Sequence, residues 1–421
     1  MRPLEEVINH TLANVTRLPE VQTPLGEAGG LYLAGPTLVK SPIPPFDNTA
    51  VDGYAIRLDA GLTRTSTVLH VIGTVAAGDD PSELVVNPGE AIRIMTGAPI
   101  PPGTDAVVMV EDTTSEGDAV RIHRLPQAGE NIRRAGSDIP AGQYVFGAGT
   151  KITPAVRGVL ASLGATDVTT FARPTIGVIS TGDELSDAEI LAPGKIHDSN
   201  RPALLDSVAA LGAVAVDLGN VGDDPEAIRY AFETAVETCD ALITSGGVSV
   251  GDFDYTKAVL RELSDNQITW FQVAIKPAKP FAFGRVGDTP VFGLPGNPVS
   301  ALVSFELFVR PSILQMLGAK QLFRPTLQAR TTVTLDHKPD GKLHLIRGLV
   351  EQDGVGGLRV TPQGQQGSHV LTGLAQSNAF ILLPDGAQVP SGEGVEVLLI
   401  GSLDAETFSP PGSPHTEDGQ R

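Results

Sequence analysis

The sequence predicts a multi-domain α/β protein. A central doubly wound α/β domain is joined by an inserted β-rich domain and a small C-terminal β-barrel or sandwich. Three observations carry this prediction. Between residues 173 and 320, short apolar runs alternate with amphipathic stretches, the pattern of strand–helix–strand units with right-handed crossovers. Segments 67–150 and 326–401 hold short β patterns separated by Gly, Pro and Asp turns. At 421 residues, the chain is long for one core, so two to four domains are expected.

Composition narrows the function. Lys+Arg total 30 against 49 Asp+Glu, a formal net charge of −19. Such a surface repels nucleic acid and anionic membranes, so neither is an expected partner, and an anionic substrate needs a local basic patch. Cys239 is the single cysteine, which excludes an internal disulfide and a cysteine-rich metal site and suits a cytoplasmic protein. The opening MRPLEEVINHTLANV has too short an apolar run for a signal peptide, and nothing in the pattern approaches a transmembrane span. The GAGTK at 147–151 lacks Walker A spacing.

Residues 3–18 read as a helix, with Leu4, Val7, Ile8, Leu12 and Val15 on one face. Pro42, Pro44 and Pro45 then favour an extended, stiff segment leading to Asp47, Asn48, Asp52 and Gly53. This is either an Asx and Gly turn or a rigid arm presenting Asp52 to a cleft. The β patterns VLHVIGTV, EAIRIMTGAPIP, DAVVMVED and AVRIHRL follow, then Arg133, Arg134 and Asp138 around Gly136, and a helix over 153–163.

From residue 173 the strand TIGVIS ends at Thr181, Gly182, Asp183 and Glu184, and a helix covers 199–211. The strand AVAVDLG precedes a helix with Asp224 at N-cap and Pro225 at N1. A strand over 239–244 opens into Ser245, Gly246, Gly247, Ser249, Gly251, Asp252 and Asp254, and a helix over 255–263 follows. The strand PVFGL leads to Pro295, Asn297 as cap, and Pro298 starting an apolar helix. Loops that follow parallel strands gather on one sheet edge. In the 245–254 loop, glycines let backbone amides approach an anion, and the aspartates make sense if a hard cation sits between carboxylate and phosphate. The alternative is a glycine-rich turn with solvated aspartates. Lys276 and Lys279, on the proline-stiffened IKPAKP segment, supply the basic patch.

The expected boundaries are 1–22 and 139–172 with 41–51 for a helical linking domain, and 23–40 with 52–138 for the inserted β-rich domain. The α/β domain spans 173–320 and the C-terminal β domain 321–403. The polar, proline-rich 404–421 is expected to be a disordered tail.

The motifs DNTAVDGYA, RIMTGAPIP, NIRRAGSDI, STGDEL, TSGGVSVGDFDY, AIKPAKPFAFG, GLPGNPVSA, IRG and QGSH occur in this order across nearly the whole chain. Together they resemble the molybdopterin molybdenumtransferase (MoeA) family, which includes the E domain of gephyrin. The resemblance implies a homodimer whose active site combines the α/β domain of one subunit with the β domain of the other. The implied reaction inserts molybdenum from molybdate into adenylylated molybdopterin with Mg²⁺ and releases AMP. Transient contact with molybdopterin adenylyltransferase and apo-molybdoenzymes is also implied.

Carried over by motif, Asp52, Thr96 and Asp138 belong to the β-rich half. Glu184, Asp223 or Asp224, Asp252 and Asp254 supply acidic positions on the α/β domain, with Mg²⁺ on Asp252, Asp254 and Glu184. The pterin substrate is expected on Thr181, Gly182, Ser245, Gly246, Gly247, Ser249, Pro295, Asn297 and Pro298. Molybdate, a tetrahedral dianion, is expected on Lys276, Lys279, Ser300, Arg347 and Ser368. Gln272 stands where many members carry a further lysine, which removes one positive charge. No Ser-His or Cys-His nucleophile pair is evident, so metal-assisted attack on phosphorus by molybdate oxygen or water is expected. The competing readings are an adenylyltransferase-like enzyme and a gephyrin-like scaffold, and tungstate is nearly isosteric with molybdate.

Overall fold

The computed structural model describes residues 1–59, 67–247, 255–353 and 356–403, so the expected disordered tail lies outside them. The chain forms two compact units: Met1–Val21, Gly30–Tyr32 and Thr170–Arg421 make one, and Gln22–Gly29 with Leu33–Thr169 make the other.

The second unit is built on a six-stranded sheet ordered Ala106–Met109, Gly53–Ile56, Glu90–Ile94, Thr67–Val75, Ala119–Ile122, Thr113–Glu116. Period-two alternation sends Tyr54, Ile56 and Ala91 to one apolar cluster and Ala55, Ile92 and Ile94 to another. Gly53–Ile56 is therefore buried along its whole length. Gly53 itself is forced, because a Cβ there would lie 2.0 Å from the Val108 carbonyl oxygen. The helix Pro154–Ser162, predicted over 153–163, starts with Thr153 Oγ1 accepting from the Val156 N–H at 3.3 Å and Pro154 at N1.

The first unit contains the α/β sheet, ordered Val214–Val221, Thr175–Thr181, Ala241–Ser245, Thr289–Leu294, Pro280–Val286, Thr269–Gln272. Its first four strands are parallel. Pro280–Val286, in a segment read from sequence only as a basic patch, is an additional strand that runs against its neighbours. The sheet is thus mixed. Proline is tolerated there because it occupies the first strand position. Ile176, Val178 and Ile243 pack on one face with the helices Leu4–Ala13, Asn200–Ala209 and Pro298–Ser304. Ile179 and Leu242 pack on the other with Ile228 and Phe232 of Pro225–Thr238 and Val259 and Leu260 of Tyr255–Leu263. Helices on both faces make this the expected doubly wound layer.

The C-terminal β domain is a barrel. Leu343–Gln352, Leu358–Pro362, Thr326–Thr331, Gly394–Leu399 and Ala379–Leu383 pair in turn, and the last pairs back with the first. Closure removes free sheet edges. The inward residues include Ala329, Val350, Val360, Ile381, Val395 and Val397. Ile275–Lys276 adds to this barrel in parallel, with Lys276 opposite His344.

The N-terminal helix is shorter than the apolar spacing predicts. It ends at Ala13, and the N–H groups of Asn14 and Val15 close tighter i−3 bonds to Thr11 and Leu12. Gln315 Nε2 donates to the Leu12 oxygen at 2.8 Å and the Val15 oxygen at 2.5 Å, which satisfies the carbonyls of the terminated turn. The stretch Pro298–Met316 is long and apolar enough to cross a membrane, but 78% of that window is buried inside the protein, as expected of a core helix.

Gly318 ends this helix with φ +75, and a Cβ there would lie 2.1 Å from Phe171 Cδ2. Gly318→Ala combines a left-handed backbone penalty with overpacking, so a loss of about 2–5 kcal/mol is expected in urea unfolding; a change within experimental error refutes this packing.

Candidate active site

The strands Thr175–Thr181, Ala241–Ser245 and Thr289–Leu294 are adjacent and parallel, with Ser180 opposite Ser245 and Ser245 opposite Leu294. Their carboxyl ends are therefore level, and the loops that leave them line a cleft of about 770 Å³. Predicted positions Thr181, Gly182, Glu184, Asp223, Ser245, Gly246, Gly247, Pro295, Asn297 and Pro298 all line it. Ser249, Asp252 and Asp254 lie outside the described residues.

Glycine is required at the turn. Gly246 has φ +100 and Gly247 φ +67; a Cβ on the first would lie 2.6 Å from the Thr181 oxygen, and on the second 2.4 Å from Thr256 Cβ. The two amides are not equivalent. The Gly246 N–H donates to the Leu294 oxygen at 3.1 Å, extending the sheet ladder, so it is not available to an anion. Expected as phosphate donors, the pair is thus reduced to Gly247, whose N–H makes no hydrogen bond among the described residues.

Of the acidic residues lining the cleft, Asp223 is tied to the neighbouring Asp183. Asp183 Oδ1 accepts from the Asp223 N–H at 2.9 Å, and Asp223 Oδ2 accepts from the Asp183 N–H at 3.4 Å. The Glu184 carboxylate folds back over Gly182, where a Cβ would lie 2.4 Å from Oε2. The alternative for the second acidic position is Asp224, which instead caps its helix by accepting from the Glu226 N–H at 3.1 Å.

Asn200, His197, Asp198, Thr256 and His369 also line the cleft, though none was predicted as a site residue. Asn200 Nδ2 donates to Ser245 Oγ at 2.8 Å and to the Gly296 oxygen at 2.7 Å, stapling two loops. Its Oδ1 is buried without a partner. Asp-Ser-Asn reads as an ordinary helix start, and Asp198 Oδ1 does accept from the N–H groups of Asn200 and Arg201. Only the fold reveals that the third residue of this cap meets Ser245.

Asn297 occupies the N-cap position, but its side chain makes no capping bond. Pro298 has no N–H, and the Val299 N–H donates to the Ser368 oxygen at 3.1 Å, so a barrel-loop carbonyl is the cap. This contact sets Ser368 at the start of the helix that carries Ser300, which is buried in the first turn. Lys276 and Lys279 are exposed and make no ion pair among the described residues. Lys279 directly precedes Pro280, which lines the cleft.

Arg347, expected among the molybdate residues, is buried at 2% exposure. Its Nη1 donates to the oxygens of Gly367 at 3.0 Å and Val370 at 3.1 Å, and its Nη2 to the Gln365 oxygen. Burial pushes the guanidinium below its usual range, and Nε is left without a partner. The residue is an anchor of the 365–370 loop, the loop that delivers Ser368 and His369.

In the other unit, Asp52 Oδ1 accepts from the Thr96 N–H and Oγ1, both at 2.7 Å. These bonds, the backbone one first, hold the Asp52 carboxyl below its usual range. Asp138 is exposed, and no hydrogen bond among the described residues ties its carboxylate to this pair. Asp47 instead holds that segment, accepting from Arg134 Nη1 at 2.5 Å and the Ala135 N–H at 2.8 Å.

Comparison with known proteins agrees from end to end. The MoeA N-terminal region (domain I and II) matches residues 2–164, the probable molybdopterin binding domain 177–315, and the MoeA C-terminal region (domain IV) 329–400. The chain is 40% identical over 377 residues to the molybdopterin molybdenumtransferase of Haemophilus influenzae, covering 89% of this chain and 92% of that one. The Bacillus subtilis protein of the same name is 37% identical over 379 residues, covering 88% and 87%. The crystal structure of the Pyrococcus horikoshii OT3 molybdopterin biosynthesis MoeA protein superposes with a TM-score of 0.79 at 30% identity, covering 95% of this chain and all of that one. This chain therefore belongs to the molybdopterin molybdenumtransferase (MoeA) family and is an enzyme of molybdenum cofactor biosynthesis.

Proposed function

We propose that the protein takes adenylylated molybdopterin and molybdate as substrates, inserts molybdenum into the dithiolene, and releases AMP with Mg²⁺ present. The observation that carries this is the pairing of a glycine-floored, carboxylate-walled cleft with the Lys276 to Lys279 segment at its rim and the Arg347-ordered loop beside it. Phosphate and molybdate then have separate ground. The Gly247 N–H supports a phosphate oxygen, and the buried Asn200 Oδ1 requires a donor that a substrate hydroxyl or amine supplies. Lys276, Lys279, Ser300 and Ser368 offer ammonium and hydroxyl donors to a tetrahedral dianion.

Glu184 and Asp223 line the cleft and offer only oxygen donors, which fits Mg²⁺ and disfavours softer ions; Asp252 and Asp254 are proposed to complete the set. When bound there, Mg²⁺ supplies charge neutralisation at the leaving phosphate. The chain's own part is to orient the phosphate over Gly247, to hold molybdate away from the carboxylates, and to keep Asp52 ionised through Thr96. A homodimer belongs to this proposal, and sedimentation at micromolar protein checks it.

Supplying adenylylated molybdopterin, Mg²⁺ and molybdate is expected to give AMP together with cofactor that reconstitutes an apo-molybdoenzyme. AMP without transferable cofactor refutes insertion. Lys279→Ala is expected to raise the molybdate concentration for half-maximal activity at least about tenfold, the scale of one lost charge-assisted contact, while pterin affinity changes less; equal losses rule out the division between the two anions. Asp52→Asn keeps the acceptor for Thr96 but removes the charge. Its turnover is expected to fall about 10²–10⁴-fold with an unchanged melting temperature, and full activity would make Asp52 a turn residue only.

A further inference from the structure

We propose that His337, Asp340 and His344 form a binding site for a divalent transition-metal ion of the zinc class, separate from the carboxylate set of the cleft. These residues belong to the C-terminal β domain, and none of them lines the cleft. His337 Nε2 and His344 Nε2 each lie 3.3 Å from the same oxygen, Asp340 Oδ1. The three ligand atoms are all within 4.8 Å of one another.

At 3.3 Å both His–Asp340 contacts lie within hydrogen-bond reach, and their length also fits two ligands of one shared ion. A charge-assisted N–H···O bond closes to about 2.7–2.9 Å. Two ligands on a tetrahedral Zn²⁺, with bonds of about 2.0–2.1 Å, stand about 3.3–3.4 Å apart. Both histidines match the second distance. Their rings are 3.5 Å apart at the centroids and tilted by 39°, so two cationic imidazoles would repel, whereas two neutral ones can share one cation.

The surroundings hold the ligands in place. Asp340 Oδ2 accepts from Lys342 Nζ at 2.7 Å and lies 3.4 Å from His344 Nε2, while Oδ1 lies 3.3 Å from both imidazoles. Asp385 Oδ1 accepts from the N–H groups of Asp340 at 2.7 Å and Gly341 at 3.0 Å, pinning the turn that carries the carboxylate. His344 stands on the barrel strand Leu343–Gln352 at 9% exposure. Two imidazoles with one carboxylate select zinc, cobalt, nickel or copper over Mg²⁺, which prefers oxygen alone.

The test uses the full chain without substrate, dialysed against chelator and titrated with Co²⁺ and then Zn²⁺. One equivalent is expected to bind at micromolar concentration or tighter, with the intense visible absorption of tetrahedral cobalt. His337→Gln, His344→Gln and Asp340→Asn are each expected to weaken binding at least about tenfold, while His70→Gln leaves it unchanged. Melting curves in chelator check folding. Should His344→Gln unfold, Asp340→Asn and X-ray absorption of the zinc-loaded wild type decide, the latter through scattering from two imidazoles. Absence of binding, unaltered binding in the His337→Gln/His344→Gln double variant, or a zinc spectrum without imidazole overturns the proposal.

Discussion

Level parallel pairing of three strands is the constraint from which the α/β cleft follows. Thr175–Thr181, Ala241–Ser245 and Thr289–Leu294 share a register that ends them side by side. A shift of one residue would turn Ile243 and Leu242 to the wrong faces and exchange the two apolar clusters. Because that burial enforces the register, the loops after Thr181, Ser245 and Leu294 meet at one place without any further device. The Gly246 N–H on the Leu294 oxygen shows how far the sheet reaches into the site. One glycine of the pair finishes the ladder and the other faces the ligand.

The barrel contributes differently. Arg347 places a positive charge in a buried site whose hydrogen-bond partners are carbonyl oxygens, and no carboxylate is paired with it among the described residues. Burying such a charge is costly unless partial charges or an anion compensate. Here the carbonyls of Gln365, Gly367 and Val370 order a loop, and the Ser368 oxygen then caps the helix at Val299. The chain from guanidinium to loop to helix start joins the barrel to the α/β layer of the same unit.

Much of this was legible in the sequence because the signals were local. Alternating apolar runs indicated a small barrel or sandwich and the inserted sheet, and Asp224–Pro225 marked a helix start that the structure keeps. The loops at Thr181, Ser245 and Pro295 were legible as a set, since each follows a strand. What failed depended on tertiary partners. Pro280–Val286 was hidden by its leading proline and basic neighbours, and the helix end at Ala13 depends on Gln315 from the distant end of the chain. Arg347 was carried over by motif as a molybdate residue, and its burial has no local signature in the sequence. Asn200 was missed because its role needs Ser245 and Gly296 beside it.

The contact between Gly247 and Thr256 limits how this loop can change in evolution. A methyl group at 247 would lie 2.4 Å from Thr256 Cβ, and φ +67 penalises it even where space exists. A larger residue at 247 is therefore conditional on a smaller one at 256. Only glycine at 256 removes that Cβ, and it would also remove the hydroxyl that donates to Thr181 Oγ1, 3.1 Å away. Each single step is disfavoured alone, so the pair is epistatic, and the turn at the cleft floor is reached or left only by changing both positions together.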